Sequence, residues 1–350
     1  MNKTAYFIFI LGFFFLGAAI AQERNTGQPM PLFQSDELIY LDLKADFSEV
    51  FSVTDDSTYF PATISFTLED GQTGSLDIKI RSRGNTRRKK EFCSFSPLRL
   101  NFPKKKTSNT TFEGQNVLKL VTHCNKASHF EQNTILEYLI YRAFNVLTDT
   151  SFKVRPALIN YIYDDKKGES MQKFAFFIER EKLLAGRLGG VERKPDRIRP
   201  DRLDPYQTCL VDIFQYMIGN TDYSIYERHN VVIISDSGGL YPPFPVPYDF
   251  DWSGVVSARY AVPNPKINTK DVTERVYRGV KQAPEILDHT IRRFNEKKEE
   301  IYSVFEDFEL LDDKEKRRVI RYLDDFYRVI NNERLVRMEF VEQARAIERE

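Results

Sequence analysis

The feature that most constrains this chain is a pair of alternating runs split by a turn. Thr63-Ile64-Ser65-Phe66-Thr67-Leu68 puts an apolar side chain at every second position, Glu69-Asp70-Gly71-Gln72 supplies turn residues, and Ser75-Leu76-Asp77-Ile78-Lys79-Ile80 alternates again. A period of two with one polar face is the signature of a half-buried antiparallel hairpin. Residues 98–102 and 117–120 are further candidate strands, so the stretch from 38 to about 120 reads as a twisted antiparallel β lobe.

The period then changes. Ser128 with Glu131 reads as a capping box, and Leu136, Leu139, Ile140, Ala143 and Leu147 recur at helical spacing, which predicts one helix of about five turns. Apolar and aromatic runs at 156–163 and 172–179, separated by Asp164-Asp165-Lys166-Lys167-Gly168-Glu169, predict a second hairpin. Residues 186–204, rich in Gly, Pro and charge, read as a surface loop. Asp204-Pro205 offers an N-cap and an N1 proline for a helix through Leu210, Ile213, Phe214 and Met217 that stops at Gly219-Asn220. A short strand at 231–234 follows, with Leu240-Tyr241 as its return, and from about Pro284 the charged amphipathic pattern predicts two or three closing helices.

At the N-terminus, Lys3, an apolar run over 5–16 and Ala19-Ile20-Ala21 before Gln22 form the three parts of a cleaved signal peptide. The run is short for a ~20-residue membrane span. No later segment is long and apolar enough to cross a bilayer, so the mature chain is expected to be exported, periplasmic or secreted, and not an integral membrane protein. Gln22, where a lipid-anchored chain would carry cysteine, argues against a lipid anchor. Loss of the leader removes Lys3 and no acid from a chain with 51 basic and 51 acidic side chains, so global charge names no partner.

Of the three cysteines, Cys209 sits among Leu210, Ile213 and Phe214 and reads as a small core residue. Cys93 and Cys124 flank one segment near predicted strands, and in an exported chain they are expected to form a disulfide. His123, Cys124 and His129 invite a zinc reading, but an oxidised Cys124 cannot ligate and no fourth ligand lies nearby. Ten basic side chains fall between Arg81 and Lys106. Such a patch suits nucleotide phosphates or an anionic polymer, or else protects a strand edge; few aromatics interleave with it, and nucleic acid is not expected.

One acid directly after a helix and another after the following hairpin is the order that brings carboxylates to a phosphoryl-transfer cleft. The chain resembles the CotH-type (spore-coat kinase) atypical protein kinases through Arg83-Gly84-Asn85, Pro97-Leu98-Arg99-Leu100, Gly219-Asn220-Thr221-Asp222 with His229-Asn230, and Pro247-Tyr248-Asp249-Phe250-Asp251. That resemblance spans roughly residues 75 to 255. It implies Asp222 as the catalytic-loop aspartate, Asn230 and Asp249 as metal ligands with Asp251 a second candidate, Arg99 as a phosphate contact, and Arg83 and Asn85 as parts of a nucleotide-binding turn. Plainer uses exist for each: Asp222 can cap a turn, Arg83 can brace one, and Asp249 and Asp251 share a side only if their segment is extended. The Asp222 to Asn230 interval is eight positions against five in kinase catalytic loops, and no Gly-rich phosphate flap is visible.

The expected fold is α+β and bilobal, protein-kinase-like. It comprises a signal peptide (1–21), a flexible segment (22–36), a β-rich N-lobe with one long helix (37–180), a helical C-lobe carrying the acidic loops (181–282) and a C-terminal helical extension (283–350). The expected function is transfer of a phosphoryl group from ATP or another nucleotide, with Mg²⁺, to a protein or envelope acceptor. A catalytically inactive binding or docking module of the envelope is the alternative.

Overall fold

The computed structural model describes residues 27–346 except 54, 56, 68–70, 165–167, 264, 266 and 268. The expected signal peptide therefore lies outside the described residues. Seven strands close into a barrel: β1 (Ile39–Ala45), β2 (Phe60–Thr67), β3 (Thr73–Ser82), β4 (Leu98–Asn101), β5 (Val117–Val121), β6 (Val154–Tyr163) and β7 (Ser170–Ile178). Their order around the barrel is β1-β2-β3-β4-β5-β7-β6. Both expected hairpins form, with Ile64 opposite Leu76 in one and Ala157 opposite Ala175 in the other.

This closed, mixed barrel corrects the expectation of a bilobal kinase-like fold with an antiparallel β lobe, although the chain is α+β overall. The physical reason lies in two pairings that join the hairpins. β7 docks antiparallel on β5, and β6 runs parallel to β1 with Leu41 beside Ile159 and Leu43 beside Tyr161. Closure removes every edge from the sheet. It also leaves Leu43, Ile64, Ile80, Leu100, Leu118 and Ile159 fully buried inside.

The run Phe174-Ala175-Phe176-Phe177 explains how a second core attaches. Ala175 and Phe177 point into the barrel, whereas Phe174 and Phe176 point out and pack under α2 (Ser128–Leu147). A strand buried on both faces loses its apolar-polar alternation. The outer core is completed by helices α4 (Pro205–Ile218), α5 (Pro284–Glu296), α6 (Lys298–Glu306) and α7 (Asp313–Ile330). Shorter helices α1 (Phe47–Val50), α3 (Glu181–Arg187) and α8 (Glu333–Arg337) complete the set among the described residues.

Several local expectations are corrected. Helix α2 starts at Ser128 with Ala127 as its uncapped N-cap. Glu131 instead reaches β7, accepting from the Phe174 N–H at 2.7 Å and pairing with Lys173 at 2.9 Å. The segment read as surface loop takes in the last two residues of α3 and contains a strand, β8 (Gly190–Arg193), which pairs with β9 (Val231–Asp236). The return strand is β10 (Phe244–Pro247), while Leu240 and Tyr241 lie exposed in the turn before it. At α4 the reading holds: Asp204 accepts from the Gln207 N–H at 2.9 Å, and Gly219 ends the helix at φ 65°. A side chain at Gly219 would collide with the Tyr322 hydroxyl on α7. No helix among the described residues is long and apolar enough to cross a membrane.

Candidate functional site

The loop after α4 is held in shape before it presents any chemistry. Asn220 Oδ1 accepts from the Asp222 N–H at 2.9 Å, and Arg278 donates to the carbonyls of Thr221 and Tyr223. The Tyr223 hydroxyl donates to buried Asp212 at 2.9 Å. Ser224 and His229 then pair as a two-residue bridge, so the chain doubles back and delivers Asn230 beside Asp222. That bridge absorbs the long interval between the two residues. Asn230 stands in the left-handed region at φ 54° and donates through Nδ2 to the Asp222 carbonyl at 2.7 Å and to its Oδ2 at 3.0 Å. His229 Nε2 lies 3.1 Å from Asp222 Oδ1, and that hydrogen bond raises the imidazole's pKa against the opposing effect of burial.

The second acidic loop is tied to the first. The Tyr248 N–H donates to the Asn230 carbonyl at 3.0 Å, and the next residue, Asp249, takes φ 63° while its N–H donates to the Tyr141 hydroxyl of α2 at 2.8 Å. An aspartate in the left-handed region turns the chain, so Asp249 and Asp251 do not share one side of an extended segment. Asp249 is exposed. Asp251 is buried, accepts from the Tyr260 hydroxyl at 3.0 Å and lies 4.0 Å from Arg87, which also lies 3.5 Å from buried Glu137. Burial, reinforced by Asp249, pushes the Asp251 carboxyl up; burial and then Asp251 push Glu137 well up. Asp251 thus belongs to an internal Glu137–Arg87–Asp251–Tyr260 cluster beneath the exposed Asp249.

The barrel contributes cations to the same place. Register sets Arg81 opposite Arg99 and Arg99 opposite Lys119, on the outward parity of β3, β4 and β5. Like charges directly opposite one another destabilise a sheet. One is neutralised, Lys119 by an ion pair to Glu181 at the start of α3, and the Lys119 ammonium also sits 5.3 Å from the Tyr248 ring centre. The Nε atoms of Arg81, Arg83 and Arg99 are shielded from solvent without a hydrogen-bond partner. Burial lowers the Arg83 pKa, and the strongest opposing influence is the Asp249 charge, which puts Arg83 at the junction of the two halves. Asn85 is exposed in the turn after Gly84, whose φ of 99° only glycine adopts readily.

The structure therefore brings Asp222, Asn230, Asp249 and Arg83 together, sets Arg99 in the adjacent cation row, and leaves Asp251 and Asn85 outside the group. Sequence reasoning missed Lys119, Glu181, Glu137 and Arg278. Lys119 carried one usable signal, as a charge midway along the apolar strand Val117–Val121. Cys93 and Cys124 lie with Cα atoms 4.7 Å apart and sulfurs at bonding distance, compatible with the expected bridge, and Cys209 is a buried free thiol. His123 stacks on Phe95 with a centroid distance of 4.4 Å, so it does not assemble with Cys124 and His129 around a zinc.

Among the described residues no group of three or more His, Cys, Asp or Glu side chains is arranged as a metal cage. Magnesium asks for less, one or two carboxylates with the remaining positions filled by water and substrate phosphate. Asp249 is an exposed carboxylate, and the Asn230 amide commits its nitrogen to Asp222, which leaves Oδ1 as an oxygen donor. That donor chemistry fits Mg²⁺. No protein-family model matches the chain, and no curated protein matches it.

Proposed function

We propose that this chain transfers a phosphoryl group from a nucleotide such as ATP to a protein or envelope acceptor outside the cytoplasm, as a divergent relative of the CotH-type kinases. The observation that supports this reading best is the hydrogen bond from Tyr248 to Asn230. It ties the two acidic loops together against a row of cations. Asp222, held by Asn230 and His229, would orient the acceptor hydroxyl and accept its proton. Arg83, Arg99 and Lys119 would hold phosphate oxygens, and Asp249 with Asn230 Oδ1 would hold Mg²⁺, which supplies charge neutralisation on the phosphoryl group.

The test is calorimetric titration of the oxidised chain with ATP, with and without Mg²⁺, for wild type and Asp249→Ala. Magnesium-dependent binding lost in the variant is the expected result. A second reading, a non-catalytic binding module, is favoured by one feature: both carboxylate oxygens of Asp222 already accept from His229 and Asn230. Under that reading ATP binds without turnover, or does not bind to the folded wild type at all.

A further inference from the structure

The turn between Gly84 and Cys93 is fastened at both ends and beneath. Arg83 N–H donates to Pro97 O at 2.8 Å at its start, and the sulfurs of Cys93 and Cys124 meet at its end. Within it, the Lys89 N–H donates to Thr86 O at 3.1 Å, and the N–H groups of Phe92 and Cys93 both return to Lys89 O. From its centre Arg87 reaches inward to Glu137, Asp251 and the Thr122 carbonyl. A turn held this way has already lost the conformational freedom that a binding loop gives up on meeting its partner.

What it shows to solvent is cationic. Lys89 and Lys90 are exposed and Arg88 half-buried, and none of the three is ion-paired among the described residues. Glu91 is the lone acid between Gly84 and Cys93. The Cys93–Cys124 contact adds exposed Lys126, two positions beyond Cys124. Among these charges Phe92 is 38% exposed. Arg83 at the root of the turn faces Asp249, and Arg87 at its centre lies 4.0 Å from Asp251, which fixes this surface beside the acidic loops.

We infer that this turn docks an acidic polypeptide that carries the acceptor hydroxyl, an inference that rests on the phosphoryl-transfer reading of the neighbouring site. Unpaired cations on a rigid turn attract and orient an acidic partner with little ordering cost. The aromatic ring selects the class of partner. A polypeptide offers acids and an apolar side chain together, whereas single-stranded nucleic acid uses a succession of stacking rings that is lacking between Gly84 and Cys93.

The experiment is fluorescence anisotropy on the full oxidised chain with a labelled serine peptide flanked by Asp and Glu and containing one Leu, against a matched peptide with Lys in place of the acids. Binding of the acidic peptide alone is expected, weakened about tenfold by the triple change Arg88→Glu, Lys89→Glu, Lys90→Glu and about threefold by Phe92→Ala. Circular dichroism checks folding, and the milder pair Lys89→Gln, Lys90→Gln gives the same direction should the triple variant fail to fold. Equal binding of both peptides, or insensitivity to the charge changes, overturns the inference. So does stronger binding of dextran sulfate or single-stranded DNA that ignores Phe92→Ala. ATP titration is run on the same samples: peptide docking without any ATP binding sinks the phosphoryl-transfer reading while the docking surface stands, and ATP binding without peptide selectivity does the reverse.

Discussion

Asn230 donates its side-chain amide to both the backbone carbonyl and the carboxylate of Asp222, at 2.7 and 3.0 Å. It does so from φ 54°, a conformation that costs an ordinary residue about 1 kcal/mol and glycine almost nothing. Backbone and amide contributions can therefore be separated. Asn230→Ala is expected to lose both, and Asn230→Gly only the hydrogen bonds, so chemical denaturation should place the glycine variant roughly 1 kcal/mol above the alanine one. Both should lose magnesium-dependent ATP affinity by tenfold or more. Retention of wild-type affinity in the glycine variant would reduce Asn230 to a structural tie.

Arg87 is the cation on which two buried carboxyls, Glu137 and Asp251, depend. Arg87→Met removes their shared partner, a change expected to cost about 3–5 kcal/mol above pH 7, where the Asp251 carboxyl ionises, and less as pH falls. Glu137→Gln should behave differently. Its folded pKa is raised well above the unfolded value by burial, so the stability tied to its neutral form is present below pH 4.5 and drains away as pH rises. Urea unfolding between pH 4 and 8 should find the glutamine variant gaining on wild type with increasing pH. A constant offset across that range would refute this account.

The Cys93–Cys124 pair closes a loop with a sequence separation of 31. Constraining that loop in the unfolded chain is worth about 3–4 kcal/mol on the chain-entropy model. Reduction should lower the thermal midpoint by several degrees, and the variant Cys93→Ser with Cys124→Ser should reproduce the shift without reductant. A reductant-insensitive midpoint would show that the two thiols are not bonded.

What the sequence made legible follows from range. The β2–β3 hairpin and α4 are written locally, in an alternation around a turn and in Asp204-Pro205 before a helical period. Barrel closure is not local: β1 meets β6 in parallel, and the Asn160 side chain that donates to Asp42 comes from 118 residues away. Glu131 shows the same competition, since its spacing suits a capping box yet the unpaired Phe174 N–H and Lys173 take its carboxylate. In the site, element order pointed to Asp222 and Asp249, and Asn230 came with the family resemblance. The opposition of Arg99 and Lys119 was not, because only register sets two outward charges face to face.

His123 is fully buried against Phe95 and Tyr161, and neither ring nitrogen has a hydrogen-bond partner. Burial, helped by the positive charges of Lys173 and Arg87, pushes its pKa down from 6.5 to about 3. The unfolded chain therefore takes up a proton below pH 6.5 that the folded chain refuses, so stability falls with pH until the folded pKa is reached. At pH 4 this single imidazole should cost on the order of 3 kcal/mol relative to pH 7. His123→Leu removes the titrating group at nearly constant volume. It should lose some ring stacking at pH 7, yet overtake wild type by pH 4, with the crossing visible in urea midpoints measured at half-unit steps. Parallel pH profiles for the two proteins would mean that the ring finds a proton partner in the folded barrel.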